Sequence, residues 1–332
     1  MIALPMRQGS SGEAVADLQR RLASLGVVGD LPADPPGIYG AATGAAVRLF
    51  QQRYGLDIDG TCNELTWNVL VEAGYRLGDR HLYLRAPMMR GDDIAELQSR
   101  LGALGFDAGR ADGIFGRQTA TALVEFQRNA GITSDGICGP DTFAALNRLG
   151  PDRTAAIMVN QVRERERLRT ATPGLAGRRV VLGHTGGLDA LTQALHRRVR
   201  NAGAYVLTLH HPDGSAQARM ANTFEADLVI ALRGAGWPAN RLAYFRGQHF
   251  WSQAGFTLAG ELGKAVAAVS GIDPELVGMR LPLLRETRMP AVVAEIGPAS
   301  LVVTKNEQLA EHLVHALANW AAAPVGSAVP TN

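Results

Sequence analysis

Side chains that could bind a metal or move a proton follow apolar runs in the C-terminal half of the chain. His184 follows one such run, His210 and His211 follow the next, and Glu295 lies in the last. Imidazole nitrogens and carboxylate oxygens are ligands of zinc. One interpretation is therefore a metal site built from His184, His210 or His211 and Glu295. The alternative is that these histidines are polar loop residues without a ligand.

The elements that would position these residues alternate between strands and helices from Arg178 onward. The predicted order is strand Val180–Leu182, helix Leu188–Asn201, strand Tyr205–Leu209, helix Ser215–Phe224, strand Leu228–Leu232, helix 253–269, strand Ala291–Ile296 and helix Glu307–Trp320. Such alternation is typical of an α/β domain with a mostly parallel sheet. Sites in these sheets lie beyond the carboxyl ends of the strands, so we expect the strand-end residues to share one edge.

The N-terminal half contains an internal repeat. Residues 15–29 resemble residues 94–108, and the turns at 37–40 and 59–62 recur at 113–116 and 135–138. Each unit carries leucines at helical spacing, two glycine-containing turns and a further helix start. Units of this length are too long for a solenoid repeat. The repeat therefore predicts two small all-α three-helix bundles ahead of the α/β domain.

Both repeats resemble the peptidoglycan-binding domain of cell-wall hydrolases. The shared pattern is a leucine-rich L-Q-x-x-L-x-x-L-G helix, then D-G-x-F/Y-G-x-x-T, F-Q and D-G-x-x-G-P-x-T, and the second repeat follows it almost throughout. The resemblance implies binding of peptidoglycan, its stem peptides or its precursors; the alternative is that the bundles dock proteins. The first repeat departs from the pattern, because Asp34-Pro-Pro-Gly37 replaces a D-G turn. We therefore expect the ligand surface on the second repeat, at Asp112, Gly113, Phe115, Gly116, Asp135 and Gly136.

The C-terminal half resembles the zinc-dependent N-acetylmuramoyl-L-alanine amidases of the Amidase_3 type. The similar segments are V-V-L-G-H-T-G-G at 180–187, A-N followed by A-D-L-V-I-A-L-R at 221–233, and P-A-V-V-A-E-I-G at 290–297. These enzymes cleave the bond between muramic acid and L-alanine of the stem peptide. The resemblance implies zinc held by His, Glu and His, with a second Glu as acid/base.

The residues at the ligand positions of that family differ in this chain. The first His position holds Thr185, the segment that should supply the ligand Glu contains none, and the last His position holds Arg233. A guanidinium stays protonated and cannot coordinate a metal. Only the acid/base position is retained, as Glu295, which we expect to pair with Arg233. The sequence therefore predicts no bound metal, and zinc only if the chain is an active amidase.

The combination of two such repeats with an altered amidase domain resembles the actinobacterial CwlM-type cell-wall regulators. This resemblance implies an inactive regulator of peptidoglycan synthesis. Its partner would be a protein of the precursor pathway, such as the enolpyruvyl transferase, or a component of a membrane complex. Two alternatives stay open: an active amidase of peptidoglycan turnover, and a simple wall-binding module.

Composition excludes several other classes. Hydrophobic residues make up 46% and charged residues 19% of 332 residues, and the formal charge is +2, so neither a disordered chain nor a nucleic-acid-binding surface is indicated. There is no apolar run long enough for a transmembrane helix, and the first residues lack a secretory signal pattern. We expect a cytoplasmic protein, membrane-associated through partners, or a cell-wall protein if a signal lies upstream.

The expected domain boundaries follow the motifs and the composition. They are residues 1–78 for the divergent first repeat, 79–150 for the second, 151–177 for a charged linker, 178–322 for the amidase-like domain and 323–332 for a flexible tail.

Overall fold

The structure is a computed structural model that describes residues 4–28, 31–149 and 173–322. The chain divides into two compact units. The first comprises Met1–Asn160 with Gly247–Phe250, and the second comprises Gln161–Arg246 with Trp251–Asn332. Almost all of the predicted linker and the whole predicted tail lie outside the described residues.

Within the described residues the first unit contains six helices, three in each repeat. They are α1 (Glu13–Ser24), α2 (Ala41–Tyr54), α3 (Glu64–Ala73), α4 (Asp92–Ala103), α5 (Arg117–Asn129) and α6 (Pro140–Leu149). Leu18 and Leu22 lie on the buried face of α1, and Leu97 and Leu101 occupy the same places on α4. Each repeat has its own apolar core. The two predicted three-helix bundles are confirmed.

The two cysteines occupy equivalent places in the two bundles. Cys62 forms an isolated β-bridge with Met6, and Cys138 forms one with Leu82. Both thiols are free and buried, and burial raises the pKa of each to about 12. They therefore act as small core residues, as their apolar surroundings favour.

The second unit is an α/β domain. Its elements are β1 (Arg179–His184), α7 (Asp189–Asn201), β2 (Tyr205–His210), α8 (Gly214–Thr223), β3 (Leu228–Gly234), β4 (Ala239–Phe245), α9 (Gln253–Ser270), β5 (Glu275–Met279), α10 (Pro282–Glu286), β6 (Ala291–Gly297), α11 (Ala299–Thr304) and α12 (Asn306–Ala322). The predicted strands and helices are all present, with ends that differ by a few residues. Strands β4 and β5 and the short helices α10 and α11 were not predicted.

The six strands form one sheet in the order β2-β1-β3-β6-β4-β5. All neighbouring pairs are parallel except β4 and β6, which run antiparallel. The mostly parallel α/β fold is therefore confirmed. Because β4 runs opposite to β6, the start of β4 meets the carboxyl ends of β3 and β6.

Strand register assigns the strand-end residues to two faces of this sheet. His184 pairs with Leu232, and Leu232 pairs with Ala294, so their side chains share one face. This face contributes to the main apolar core, together with α7, α9 and α12. Arg233 pairs with Glu295, which places both on the opposite face.

No helix in the part of the chain that the structure describes is both long and apolar enough to cross a membrane.

Candidate functional site

A row of charged side chains crosses three neighbouring strands at the edge where β3 and β6 end. Arg233 of β3 is the register partner of Glu295 in β6, and Glu295 is the partner of Arg241 in β4. The Arg241 guanidinium donates from Nε and Nη2 to Glu295 Oε2, at 2.9 and 2.7 Å. The Glu295 side chain is only 15% exposed, so this ion pair is partly shielded from water.

The expected pairing of Glu295 with Arg233 is therefore corrected. Arg233 lies beside Glu295, but the structure gives the ion pair to Arg241, which lies directly opposite Glu295 on the antiparallel strand. Among the residues that the structure describes, no ion pair or hydrogen bond is found for the Arg233 side chain. Arg241 was missed because β4 itself was not predicted, and nothing in its sequence distinguishes this arginine.

The residues that the sequence comparison predicts at the zinc-ligand positions, Thr185 and Arg233, do not have the chemistry of zinc ligands. Thr185 is exposed and follows β1, with a neutral hydroxyl in place of an imidazole. Arg233 sets a fixed positive charge where the last ligand would lie. The retained carboxylate, Glu295, already accepts two hydrogen bonds from Arg241. No hydrolytic step through zinc can be assigned to this set.

Two histidines meet on the other face of the sheet. His184 ends β1 and pairs in register with His210, which ends β2. Their rings stack with centroids 4.6 Å apart and planes 11° from parallel. Asp189, in the first turn of α7, brings Oδ1 to 3.8 Å from His184 Nε2. One ligand atom from each of the three residues lies within 4.8 Å of the others.

His184 is an unusual member of this group because it is 3% exposed and buries an unpartnered nitrogen. Its Nδ1 has no hydrogen-bond partner. Burial lowers the pKa of His184, Asp189 opposes that effect, and His210 adds to it. The imidazole is therefore held in the neutral form, which is the form that binds metals.

The other residues of the predicted metal site are not in this group. His211 Nδ1 accepts a hydrogen bond from the Asp213 backbone N–H at 3.0 Å, which fixes the turn into α8. Glu295 lies on the opposite face of the sheet. Of the four residues in that hypothesis, the structure brings together His184 and His210, and adds Asp189, which the sequence did not single out.

The predicted ligand residues of the second repeat stabilise its turns. Asp112 Oδ1 accepts from the Ile114 N–H and from the Gln98 amide, while Gln98 Oε1 accepts from the Gly113 N–H. Gln127 makes the same contacts with Asp135 and Gly136. Both glycines have positive φ, which explains their presence in these turns.

Phe115 is fully buried in the second bundle. The expectation that it contacts a ligand is corrected, because its ring belongs to the core. Gly116 precedes the first turn of α5 and its carbonyl accepts from Ala120 N–H. The residues of the repeated motif thus contribute to the core and the turns of the bundle. The buried glutamines that hold the turns were visible in the sequence as the Q of L-Q and F-Q.

An open cleft of about 300 Å³ lies beside the second of these turns. Its lining residues are Gly78, Asp79, Arg80, His81, Cys138, Gly139, Pro140 and Phe143. Arg80 is committed to a salt bridge with the buried Asp93, at 2.7 Å, whereas His81 is exposed. The β-bridges of Cys62 and Cys138 make Asn63 and Glu64 the first-repeat counterparts of Gly139 and Pro140, so the first repeat has an acidic residue there.

Comparison with known proteins shows to which family the chain belongs. Residues 11–70 and 90–146 match the family described as "Putative peptidoglycan binding domain". Over 335 aligned positions the chain is 35% identical to "N-acetylmuramoyl-L-alanine amidase CwlM" of Mycobacterium tuberculosis, covering 88% of this chain and 81% of that protein. The chain belongs to the CwlM family. It therefore combines two domains of the peptidoglycan-binding type with a domain of the amidase fold.

More distant similarities cover only part of the chain. "N-acetylmuramoyl-L-alanine amidase CwlL" of Bacillus licheniformis is 32% identical over 165 residues, which is 43% of this chain and 45% of that protein. The amidase Ami1 of Mycobacterium smegmatis aligns in structure with a TM-score of 0.36 and 15% identity, over 45% of this chain and 98% of that one.

Proposed function

We propose that this protein is a catalytically inactive member of the amidase fold that binds peptidoglycan or its precursors and regulates their synthesis. The observation that carries the proposal is the row Arg233–Glu295–Arg241. Hydrolysis by this family's chemistry needs three metal ligands and a carboxylate free to accept a proton from water. On the proposed assignment, the permanent cation Arg233 stands at one ligand position; the Glu295 carboxylate is held by a second cation, Arg241.

Ligand binding is assigned to the N-terminal unit, and within it to the second repeat. The cleft beside α6 supports this assignment, because Arg80 and His81 line it together with Asp79, and the first-repeat counterpart of its Pro140 is the acidic Glu64. Stem peptides and their precursors carry carboxylates, to which the exposed ring of His81 can donate a hydrogen bond. The turn residues Asp135 and Gly136 would shape the cleft rather than contact the ligand.

Regulation requires a protein partner. The resemblance to CwlM-type regulators supports a partner in the precursor pathway, such as the enolpyruvyl transferase, or a component of a membrane complex. Cytoplasmic residence is part of this proposal. The two free, buried cysteines fit a reducing compartment.

The decisive experiment measures cleavage of muropeptides by the purified full-length chain with added zinc. We expect no release of stem peptide above a blank without protein, while CwlL of Bacillus licheniformis, assayed in parallel, serves as the positive control. Release of stem peptide that a chelator stops would overturn the proposal.

The second candidate function is an active amidase, and the 35% identity to a protein of that name favours it. The two functions differ in the role of Glu295. If the chain is active, Glu295→Gln should abolish cleavage while leaving the fold intact.

A further inference from the structure

The cluster His184–Asp189–His210 has no role in the row of charges around Glu295. Its three members come from β1, the first turn of α7 and the end of β2. Parallel pairing of β1 with β2 sets the two histidines side by side, and the chain then enters α7 next to them. The fold itself therefore brings these donors together.

Two observations point to a ligand for this cluster. The donor atoms lie within 4.8 Å of one another, and His184 buries an Nδ1 that has no partner. A buried polar atom without a hydrogen bond costs free energy. A metal ion bound through Nδ1 would offset that cost, whereas one bound through Nε2, the nitrogen that Asp189 approaches, would not. The donors are two imidazoles and a carboxylate, a set typical of zinc sites with an open position.

We propose that His184, Asp189 and His210 form a zinc site of this chain, separate from the two His positions of its family. Thr185 and Arg233 stand at those two positions, and Asp189 lies in the segment that was expected to supply the ligand Glu and that contains none. Three protein ligands leave at least one coordination position for water or an anion.

Binding requires a small local movement. Ligand atoms around a tetrahedral zinc lie roughly 3.4 Å apart, given bond lengths of about 2.0–2.1 Å, so the widest separation of 4.8 Å must shrink. The stacked rings must also turn so that their nitrogens converge. Asp189 and His210 are exposed and can make this adjustment, whereas His184 is fixed in the core.

The site does not restore amidase chemistry. His184 shares a sheet face with Leu232, and Glu295 lies on the other face. A water on this zinc would therefore lack the retained carboxylate as its base. Zinc binding at this cluster is independent of the proposed function, and it revises the expectation that the chain holds no metal, which took no account of Asp189.

The test is a zinc titration of the full-length protein after removal of metal with a chelator, followed by calorimetry, with Co²⁺ as a spectroscopic substitute. We expect one equivalent to bind, with a Co²⁺ spectrum that indicates nitrogen ligands. His210→Ala and Asp189→Asn should each weaken binding by at least about tenfold. Both positions are exposed, so these variants should fold.

His211→Ala and His196→Ala are the matched controls, since both remove a histidine near the cluster without removing a proposed ligand. They should bind zinc like the unaltered protein. The proposal is overturned if no stoichiometric zinc binds, if His210→Ala binds as tightly as the unaltered protein, or if His211→Ala loses binding equally. Muropeptide cleavage is a separate readout. Absence of zinc binding together with absence of cleavage defeats only the zinc site, and cleavage by protein that binds zinc at this cluster defeats only the proposed function.

Discussion

Arg233 changes the chemistry of the strand edge more than the loss of a single ligand would. A lost histidine leaves a gap that water or another donor can fill, whereas a guanidinium places a permanent charge that repels a cation. Arg241 adds a second charge within the same register row and binds Glu295 Oε2 through two nitrogens. The edge that would serve hydrolysis in an amidase is therefore an ion-paired, cationic edge in this chain.

Replacing Arg233 with histidine tests whether Arg233 alone prevents hydrolysis. Arg233→His removes one charge and supplies one imidazole, but Thr185 still lacks a ligand nitrogen and Arg241 still binds Glu295. We expect cleavage of muropeptides to stay at the level of the blank, measured by mass spectrometry of released stem peptide in the presence of zinc.

The double variant Arg233→His with Arg241→Ala serves as the control for the ion pair. It frees Glu295 and should remain inactive, because two family ligands are still missing. Activity gained by Arg233→His alone would contradict this expectation, because it would show that other residues of the chain supply the remaining ligands.

At the scale of elements, a buried glutamine organises each turn that the repeat motif specifies. Gln51 is fully buried in α2; its amide donates to Asp59 Oδ1 at 2.7 Å and its Oε1 accepts from the Gly60 N–H at 2.9 Å. The same contacts recur at Gln98 and Gln127. Each glutamine thus ties its helix to a turn that lies 8 to 15 residues away in the sequence.

Gln51→Ala should destabilise the first bundle by about 2–3 kcal/mol, because it leaves the buried Gly60 N–H without its partner and opens a small cavity. The measurement is hydrogen exchange of peptides covering residues 41–73 in mild denaturant, where protection should fall. Gln52→Ala is the matched control: Gln52 is adjacent and exposed, and its change should stay within about 0.5 kcal/mol. Equal effects from the two variants would refute the role given to Gln51.

The sequence predicted those parts of the fold that have strong local patterns. Leucines spaced for one helix face located α1 and α4, and apolar runs located β1, β3 and β6. Strand β4 was not predicted because Ala239–Phe245 contains Asn and Arg among its apolar residues. It forms a strand through its pairing with β6. Arg241, the ion-pair partner of Glu295, lies on β4 and was therefore not predicted either.

The candidate sites show the same limit. Type and spacing identified His184 and His210, but only parallel pairing of β1 with β2 shows that they stack. Asp189 looked like an ordinary first-turn residue of α7. Phe115 is the opposite case. The motif predicted it as a ligand-binding residue, but in the structure it is buried in the core. Motif strength alone did not separate residues that fold the domain from residues that contact a ligand.

At the scale of the whole molecule, the peptidoglycan-binding-type domains and the amidase-fold domain lie in different units of the chain. The bundles that match the peptidoglycan-binding family have complete cores and turns, and the α/β unit has a complete sheet with Arg233 beside Glu295 at its edge. A chain that retains recognition without cleavage can report on wall material without destroying it. The proposed function therefore requires that ligand binding survive where catalysis does not.

This requirement gives a direct prediction for full-length protein mixed with isolated sacculi. His81→Glu places a negative charge on the cleft of the second repeat, where it should repel the carboxylates of stem peptides and lower the bound fraction severalfold. Gln52→Glu adds the same charge to an exposed position of the first repeat and should leave binding unchanged. Binding is measured by co-sedimentation at low salt, because screening at high salt weakens both the attraction and the effect of the substitution. If Gln52→Glu impairs binding and His81→Glu does not, recognition lies on the first repeat. The binding surface would then include the acidic Glu64, and it would recognise a group other than the carboxylates of the stem peptide.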